Sequence, residues 1–81
     1  MPDYGELVRF IVQKIVDEPE AVEVSSTEAS GGVVKVSIRV AQNDMGRVIG
    51  KRGATINAIR MIARAAAVKP GERVDVDILE D

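Results

Sequence analysis

The sequence lacks residue types on which most enzymes and metal proteins depend. Its 81 residues include no cysteine and no histidine. The chain therefore has no disulfide and no thiol nucleophile, and it lacks both the commonest metal ligand and the usual general base. From these absences we expect no catalytic activity, no metal site and no cofactor.

Aromatic residues and long apolar runs are also scarce. Tyr4 and Phe10 are the aromatic residues of the chain, and there is no tryptophan. Base stacking on aromatic side chains is therefore not expected. No apolar run approaches the roughly 20 residues of a membrane span, and the first residues carry no positive stretch typical of a signal peptide. We expect a cytoplasmic protein without membrane contact.

The residues that are present are typical of one small globular domain, which we assign to residues 1–81. Hydrophobic residues make up 46% of the chain and charged residues 30%, a balance typical of a folded chain. The net charge of −2 conceals an asymmetry, because residues 33–64 carry seven basic residues against one acidic residue. Residues 1–32 and 65–81 are net acidic, at −5 and −3. This clustering indicates an anion site, although chance clustering on a solvated surface gives the same pattern.

Hydrophobic periodicity in the first half of the chain predicts one helix and a hairpin. The apolar spacing over residues 4–17 is helical, and Pro19 should end this helix because its ring cannot continue the hydrogen-bond ladder. Apolar and polar residues then alternate over residues 22–25 and again over residues 34–40. A turn at Ser30-Gly31-Gly32 joins the two predicted strands.

The second half predicts two helices and a last strand. A short helix over residues 45–49 follows Asn43-Asp44, which are good N-cap residues. A longer helix over residues 54–68 has one apolar face, and Pro70-Gly71 ends it. Alternation then predicts a strand over residues 74–78. The resulting α-β-β-α-α-β order predicts a two-layer α+β fold, in which three helices cover one face of a three-stranded mixed sheet.

The most informative segment is Val48–Ile56, in which two glycines enclose two basic residues. Gly50 and Gly53 have no side chains to hold a sugar-phosphate strand away, and glycine tolerates the positive φ of a tight turn. Lys51 and Arg52 add charge between them. The N-terminus of the following helix adds partial positive charge. Together these features predict a loop that binds phosphate.

This segment also matches the V-I-G-x-x-G-x-x-I signature of KH domains, and the order of elements resembles the type II KH fold over the whole chain. Residues 44–53, D-M-G-R-V-I-G-K-R-G, are similar to the small bacterial single-KH proteins of the KhpA family. The resemblance implies a cytoplasmic protein that binds single-stranded RNA and acts post-transcriptionally. It also implies a homodimer or a heterodimer with a larger Jag-type KH protein, and no small-molecule substrate.

In KH domains the RNA backbone lies at this loop, and about four nucleotides occupy an adjoining groove. The RNA contacts that the resemblance implies are the loop, Gly50, Lys51, Arg52 and Gly53, and the apolar groove residues Val48, Ile49 and Ile56. Arg47 and Arg60 would extend a positive track from the loop, if the helices turn them to the same side. Ile38 and Val40 would form the far wall of the groove, and Arg64 would extend its positive charge. The residues alone leave alternatives open, namely core positions for the apolar groove residues and ordinary solvation for the arginines.

A phosphate-binding enzyme is one alternative, because Gly46–Lys51 superficially resembles a P-loop. Its glycines are one residue too close for G-x-x-x-x-G-K, and Arg52 stands where a Mg²⁺-binding hydroxyl is needed. Asp75 and Asp77 share a face of the last strand and could bind a metal, but carboxylates on such a face are usually only solvated. The sequence therefore favours a binding protein over an enzyme.

A protein-interaction module is the second alternative, in which RNA contact is secondary. One KH groove contacts few nucleotides, so useful affinity requires a second module that raises the effective concentration. Met61 and Ala65 on the third predicted helix are candidates for such a contact.

Overall fold

The structure is a computed structural model and describes residues 3–29 and 31–79. Within these residues the chain forms three α-helices and three β-strands in the predicted order. In chain order they are α1 (Tyr4–Ile15), β1 (Glu23–Glu28), β2 (Val33–Arg39), α2 (Met45–Ile49), α3 (Ala54–Val68) and β3 (Arg73–Ile78). Short 3-10 turns occupy Pro19–Ala21, Gln42–Asp44 and Lys51–Gly53.

Helix α1 ends at Ile15, two residues earlier than predicted. Val16 is already extended, at φ −101° and ψ 158°. The next two backbone N–H groups, those of Asp17 and Glu18, donate to the Asp44 carboxylate at 3.0 Å each. The helix therefore ends where a side chain from a distant part of the sequence takes the backbone donors that a further turn would use. The helix ends before Pro19, and Glu18 is non-helical as predicted, but the predicted bound at residue 17 is two residues too late.

The same contact corrects the predicted N-cap of α2. Asp44 directly precedes this helix, but the described residues give α2 no side-chain cap. The Asp44 side chain is instead fully buried and directed toward the α1–β1 connection. Its carboxylate therefore links α2 to the end of α1.

The three strands form one mixed sheet in the order β1-β2-β3. Strands β1 and β2 are antiparallel, whereas β2 and β3 are parallel, with Val36 opposite Val76. Two glycines after β1 have positive φ, Gly31 at 84° and Gly32 at 77°, as the predicted turn requires. Ser30, which the prediction also assigned to that turn, lies outside the described residues. The mixed sheet is confirmed, and β3 is one of its edges.

The core lies between the helices and one face of the sheet. Along β2, Val34, Val36 and Ile38 are buried, whereas Lys35 and Arg39 are exposed. The same alternation holds along β3. Helices α1 and α3 pack on the apolar face and against each other. The predicted two-layer arrangement is therefore confirmed, and the polar face of the sheet is open.

Candidate nucleic-acid interface

Residues 50–53 join α2 to α3 in one tight turn. The N–H of Gly50 donates to the carbonyl of Gly46 at 2.8 Å, and the N–H of Gly53 donates to the carbonyl of Gly50 at 3.2 Å. Both loop glycines have positive φ, 75° at Gly50 and 78° at Gly53. The loop therefore connects two helices, whereas a P-loop connects a strand to a helix.

The two glycines are required for different reasons. A Cβ on Gly50 would overlap the Thr55 side chain and lie 2.7 Å from the Thr55 backbone nitrogen. For Gly50, close packing within the protein already accounts for the missing side chain. Gly53 has more room, because the nearest atom to a Cβ built there is Nδ2 of Asn57 at 3.8 Å. At Gly53 the positive φ is the reason for glycine.

The two basic residues of the loop are exposed. Neither Lys51 nor Arg52 makes a side-chain ion pair or hydrogen bond with the residues that the structure describes. Arg52 also has a φ of 58°, a left-handed conformation that costs a non-glycine residue roughly 1–2 kcal/mol. Such strain persists where the surroundings enforce it, and it concentrates at functional sites. The loop therefore presents two cationic side chains that are available to a ligand.

The start of α3 adds to this positive charge. Gly53 is its N-cap residue, and no side chain in the described ranges caps this end. The first backbone N–H groups of a helix have no partner within the helix. Because α3 is 15 residues long, it carries a full helix dipole whose positive end lies at the loop.

The apolar residues around the loop are divided between core and surface. Val48 is 0% exposed and Ile56 is 5% exposed, so the core alternative is confirmed for both. Ile49 is half-buried and retains surface beside the loop. Ile38 and Val40 are buried, so the prediction that they form the far wall of the groove is wrong. Val48 and Ile56 support the loop from beneath.

A cleft of about 300 Å³ lies between α3 and β3. On the helix side it begins at Asn57, one turn beyond Gly53, and continues through Arg60 and Arg64. The wall opposite α3 is the edge strand β3, because the second strand is central in the sheet. The residues that line the cleft are Lys35, Asn57, Arg60, Arg64, Asp75, Val76 and Asp77.

Arg60 bridges this cleft. Its Nε donates to the carbonyl of Val76 at 2.9 Å, and its Nη1 donates to Oδ1 of Asn57 at 2.9 Å. Its Nη2 lies 3.4 Å from Oδ1 of Asp77. Arg60 thus lies beside the cleft, as its predicted contact with RNA requires, but much of its hydrogen-bonding capacity already ties α3 to the edge of β3. Arg64, one turn further along, is exposed and has no ion pair within the described ranges.

Arg47 points elsewhere. Its Nη2 lies 3.1 Å from Oδ2 of Asp17, and its Nε lies 3.8 Å from Oδ1 of Asp44. It does not line the cleft. The structure therefore places the start of the cleft, at Asn57, one helical turn beyond the loop that carries Lys51 and Arg52. It places Arg47 in the contact between α2 and the end of α1.

Sequence reasoning missed the acidic side of the cleft. Asp75 and Asp77 were considered for a metal site, although their alternation with Val74 and Val76 already placed them together on one face of the strand. The two carboxylates line the cleft because β3 is the edge strand beside α3. The order of strands in the sheet decides this, and the local sequence does not show it. The residues 3–29 and 31–79 contain no group of three or more His, Cys, Asp or Glu side chains that could hold a metal ion.

A comparison with known proteins decides the family. A family model described as KhpA/KhpB, KH domain, matches residues 5–78. This chain belongs to that KH-domain family. The α-β-β-α-α-β order and the mixed sheet described above are those of a type II KH fold. In the described part of this KH chain, no helix is long and apolar enough to cross a membrane.

Similar proteins include two that are named RNA-binding protein KhpA. The one from Caldanaerobacter subterraneus subsp. tengcongensis is 44% identical over 75 residues, which is 93% of this chain and 99% of that protein. The one from Borreliella burgdorferi is 37% identical over 83 residues, which is 99% of this chain and 100% of that protein. The KhpA proteins form a family of RNA-binding proteins and not of enzymes.

A solved structure of Era is also similar to this KH chain. The two superpose with a TM-score of 0.70 and 26% sequence identity, over 93% of this chain. The match spans 28% of the Era chain. That Era structure is a complex with MgGDPNP and nucleotides 1506–1542 of 16S ribosomal RNA.

Proposed function

We propose that this KH protein binds short single-stranded RNA, with the sugar-phosphate backbone at the loop of residues 50–53 and the bases in the cleft between α3 and β3. The observation that carries the proposal is a pair of exposed cations, Lys51 and Arg52, which have no ion pair or hydrogen bond among the described residues. They lie beside the start of α3, which no described side chain caps. The family's RNA-binding relatives support it. In this proposal the protein is cytoplasmic and acts post-transcriptionally without catalysis.

The residues near the loop take different parts in this proposal. Lys51 and Arg52 contact phosphates, the Gly50 and Gly53 backbone allows close approach, and the exposed part of Ile49 contacts the nucleotide beside the loop. Residues that support or extend this site through the protein's own contacts are Arg47, Val48, Ile56 and Arg60. Because none of the described residues that line the cleft is aromatic, base recognition rests on hydrogen bonds and apolar contact.

The first test reverses the loop charges with Lys51→Asp and Arg52→Asp together. We expect RNA affinity to fall more than roughly tenfold, because a site with few phosphate contacts loses its main cations. For the parent, log affinity should fall linearly with log salt concentration, with a slope of about 0.7 per phosphate contact. Fluorescence anisotropy with a labelled single-stranded RNA measures both quantities.

The matched control is Arg9→Asp with Lys14→Asp, which makes the same change of net charge on the exposed surface of α1. The control should retain most of the affinity, whereas a net-charge effect would weaken both variants equally. Circular dichroism checks that each variant is folded. RNA binding that is independent of salt, or unchanged in the loop variant, would contradict the proposed site.

We further propose that the protein acts as a dimer, either with itself or with a larger Jag-type KH protein. A single cleft holds few nucleotides, and a second one raises the effective concentration. Helix α3 presents an exposed apolar strip on the surface, in which Met61 is 68% exposed. The strip consists of Ala58, Met61, Ile62, Ala65 and Val68. Its small residues allow a second helix to approach closely.

The variant Met61→Glu tests this strip. We expect the parent to sediment as a homodimer and the variant as a monomer with weaker RNA binding, because burying a carboxylate in an apolar contact is unfavourable. Phe10→Glu is the control, since Phe10 is 62% exposed on a different helix. A parent that remains monomeric at high concentration would leave the heterodimer as the proposed assembly.

The alternative function, a protein-interaction module, predicts a different result in cells. In that case the loop variant would lose RNA binding in vitro but still complement a deletion of the gene.

A further inference from the structure

We propose that Asn57 is a further RNA contact of this site and that Arg60 positions it. In this inference the side-chain amide of Asn57 donates to the phosphate that links the nucleotide at the loop to the first nucleotide in the cleft. The inference rests on the proposed RNA binding and adds two residue roles to it. Asn57 lies one turn beyond Gly53, between the loop and the cleft that it helps to line.

The orientation of the Asn57 amide follows from its contact with Arg60. Nη1 of Arg60 donates to Oδ1 of Asn57 at 2.9 Å. A guanidinium carries only donors, so the amide atom that faces it must be the oxygen. The other atom of the amide, Nδ2, is therefore directed away from Arg60, with its two N–H groups.

Nδ2 of Asn57 lies beside the loop. It is 3.8 Å from the place that a Cβ on Gly53 would occupy, and Gly53 has no side chain to cover it. Asn57 is exposed, and its Nδ2 makes no hydrogen bond with the described residues. Its N–H groups are therefore available to a ligand at Gly53.

Arg60 is itself fixed by the edge of the sheet. Its Nε donates to the carbonyl of Val76 at 2.9 Å, and its Nη2 lies 3.4 Å from Oδ1 of Asp77. Because the guanidinium is planar and rigid, these contacts with β3 also fix the direction in which Nη1 donates. Strand β3 thus determines, through Arg60, where the donors of Asn57 point.

The surroundings of Nδ2 favour a phosphate as the acceptor. Lys51 and Arg52 attract phosphates to the loop, and a charged phosphate oxygen accepts a stronger hydrogen bond than a neutral acceptor does. An amide is uncharged, so its contact releases no counterions from the RNA, in contrast to a contact from lysine or arginine. Asn57 therefore adds affinity without adding to the salt dependence of binding.

The first test compares Asn57→Ala with Asn57→Asp by fluorescence anisotropy with single-stranded RNA. Both variants lose the donors, but the aspartate keeps an acceptor for Arg60. We expect alanine to lower the affinity about threefold to tenfold without changing the salt slope, and aspartate to lower it at least as much. Affinity that is retained in the aspartate variant would overturn the inference, because Asn57 would then serve only to hold Arg60.

The matched controls are Asn43→Ala and Asn43→Asp, which make the same changes at an exposed position before α2. They should weaken RNA binding much less than the variants of Asn57. Equal effects at the two positions would overturn the inference, since net charge would then account for the loss. Thermal unfolding checks that each variant is folded.

A second test locates the acceptor on the RNA. Single methylphosphonate linkages, which are neutral, replace one phosphate at a time in an RNA slightly longer than the about four nucleotides that a KH groove holds. Each linkage follows a 2′-O-methyl nucleotide for chemical stability, and the reference oligonucleotide carries the 2′-O-methyl group alone. At one linkage the replacement should weaken binding to the parent about threefold to tenfold more than binding to Asn57→Ala, because the variant has already lost that contact.

Single 2′-deoxy substitutions are the other arm of this test, because a 2′-hydroxyl oxygen can also accept from an amide. They should weaken binding to the parent and to Asn57→Ala equally. A difference between the two proteins that occurs at a 2′-deoxy position, and at no methylphosphonate linkage, would overturn the assignment to a phosphate.

Arg60→Lys tests the positioning role at constant charge. A lysine has no planar fork with which to contact Val76 and Asn57 together, so the Asn57 amide can turn. We expect RNA binding to weaken about threefold in the parent and less than about 1.5-fold in Asn57→Ala, because a residue that acts through another has no effect once that residue is removed. Equal losses in the two backgrounds would overturn the positioning role.

The outcomes separate this inference from the proposed function. If the parent does not bind single-stranded RNA, the proposed function is overturned and the inference with it. If the parent binds RNA and Asn57→Ala binds it equally well, the inference is overturned and RNA binding at the loop stands.

Discussion

At the scale of single residues, backbone conformation shapes the loop more than side-chain chemistry does. Gly50, Arg52 and Gly53 all have positive φ within four residues. This path returns the chain onto the first turn of α3 and directs the two cations outward. The close approach at Gly50, where a Cβ would meet Thr55, holds the path in place.

Gly50→Ala should therefore destabilise the protein. The backbone at Gly50, with φ 75° and ψ 176°, lies in a region essentially confined to glycine and costs alanine about 1–3 kcal/mol. The clash with the Thr55 backbone adds to that. We expect the free energy of unfolding, measured by urea denaturation, to fall by about 2 kcal/mol or more. RNA affinity should fall as well, because the loop would have to move.

Gly46→Ala is the matched control for this substitution. Gly46 lies in α2, and nothing else in the described ranges lies within 4 Å of a Cβ built there. Alanine should stabilise this helix by up to about 1 kcal/mol. A similar loss of stability in both variants would show that packing against Thr55 is not the reason for glycine at position 50.

At the scale of elements, α2 depends on its neighbours. It has five residues, and isolated helices of that length are not stable in water. Val48 anchors it in the core, and the buried Asp44 fixes its start to the end of α1. Because the loop follows directly from α2, these contacts also set the position of Lys51 and Arg52.

Asp44→Ala should reveal this dependence. The substitution leaves the N–H groups of Asp17 and Glu18 without their acceptor and removes a partner of Arg47. We expect a loss of about 2–3 kcal/mol in the free energy of unfolding, together with weaker RNA binding. Asn43→Ala, at an exposed neighbouring position, should change both by little. Equal effects of the two substitutions would contradict the anchoring role.

At the scale of the whole molecule, a hydrogen bond joins the start of α1 to the turn before β3, which is distant in sequence. The hydroxyl of Tyr4, a 2% exposed residue at the start of α1, donates to Oε1 of Glu72 at 2.6 Å. Burial, the hydrogen bond and the negative charge of Glu72 raise the pKa of Tyr4 to about 12. Glu72 lies in the turn before β3, so this bond fixes the start of β3, the strand that forms one wall of the cleft.

The raised pKa predicts a dependence of stability on pH. A folded-state pKa above the ordinary value of 10.0 means that the contribution of Tyr4 is complete below pH 10 and is lost as the pH rises toward 12. Urea denaturation across this range should show that loss in the parent. In Tyr4→Phe the corresponding part of the pH dependence should be absent. If the free energy of unfolding depended on pH in the same way in the parent and in Tyr4→Phe, the predicted contribution of Tyr4 would be contradicted.

The sequence alone predicted much of the fold because its signals are local. The bounds of α2 and α3 agree with the prediction, since glycine and proline mark their ends and apolar spacing marks their faces. Gly50 and Gly53, which mark the end of α2 and the start of α3, also belong to the signature that indicated a KH domain. The end of α1 was predicted wrongly because its cause, Asp44, lies about 27 residues away in sequence.

For the candidate site, the sequence by itself determined the loop, its two cations and the helix that starts there, because consecutive residues form them. Only the tertiary structure decided that Val48 and Ile56 are buried, that Arg60 bridges to β3 while Arg47 pairs with Asp17, and that two carboxylates face the cleft. The physical reason is that burial and ion pairing depend on which elements become neighbours. Strand order and helix packing set those neighbours, and hydrophobic periodicity does not specify them.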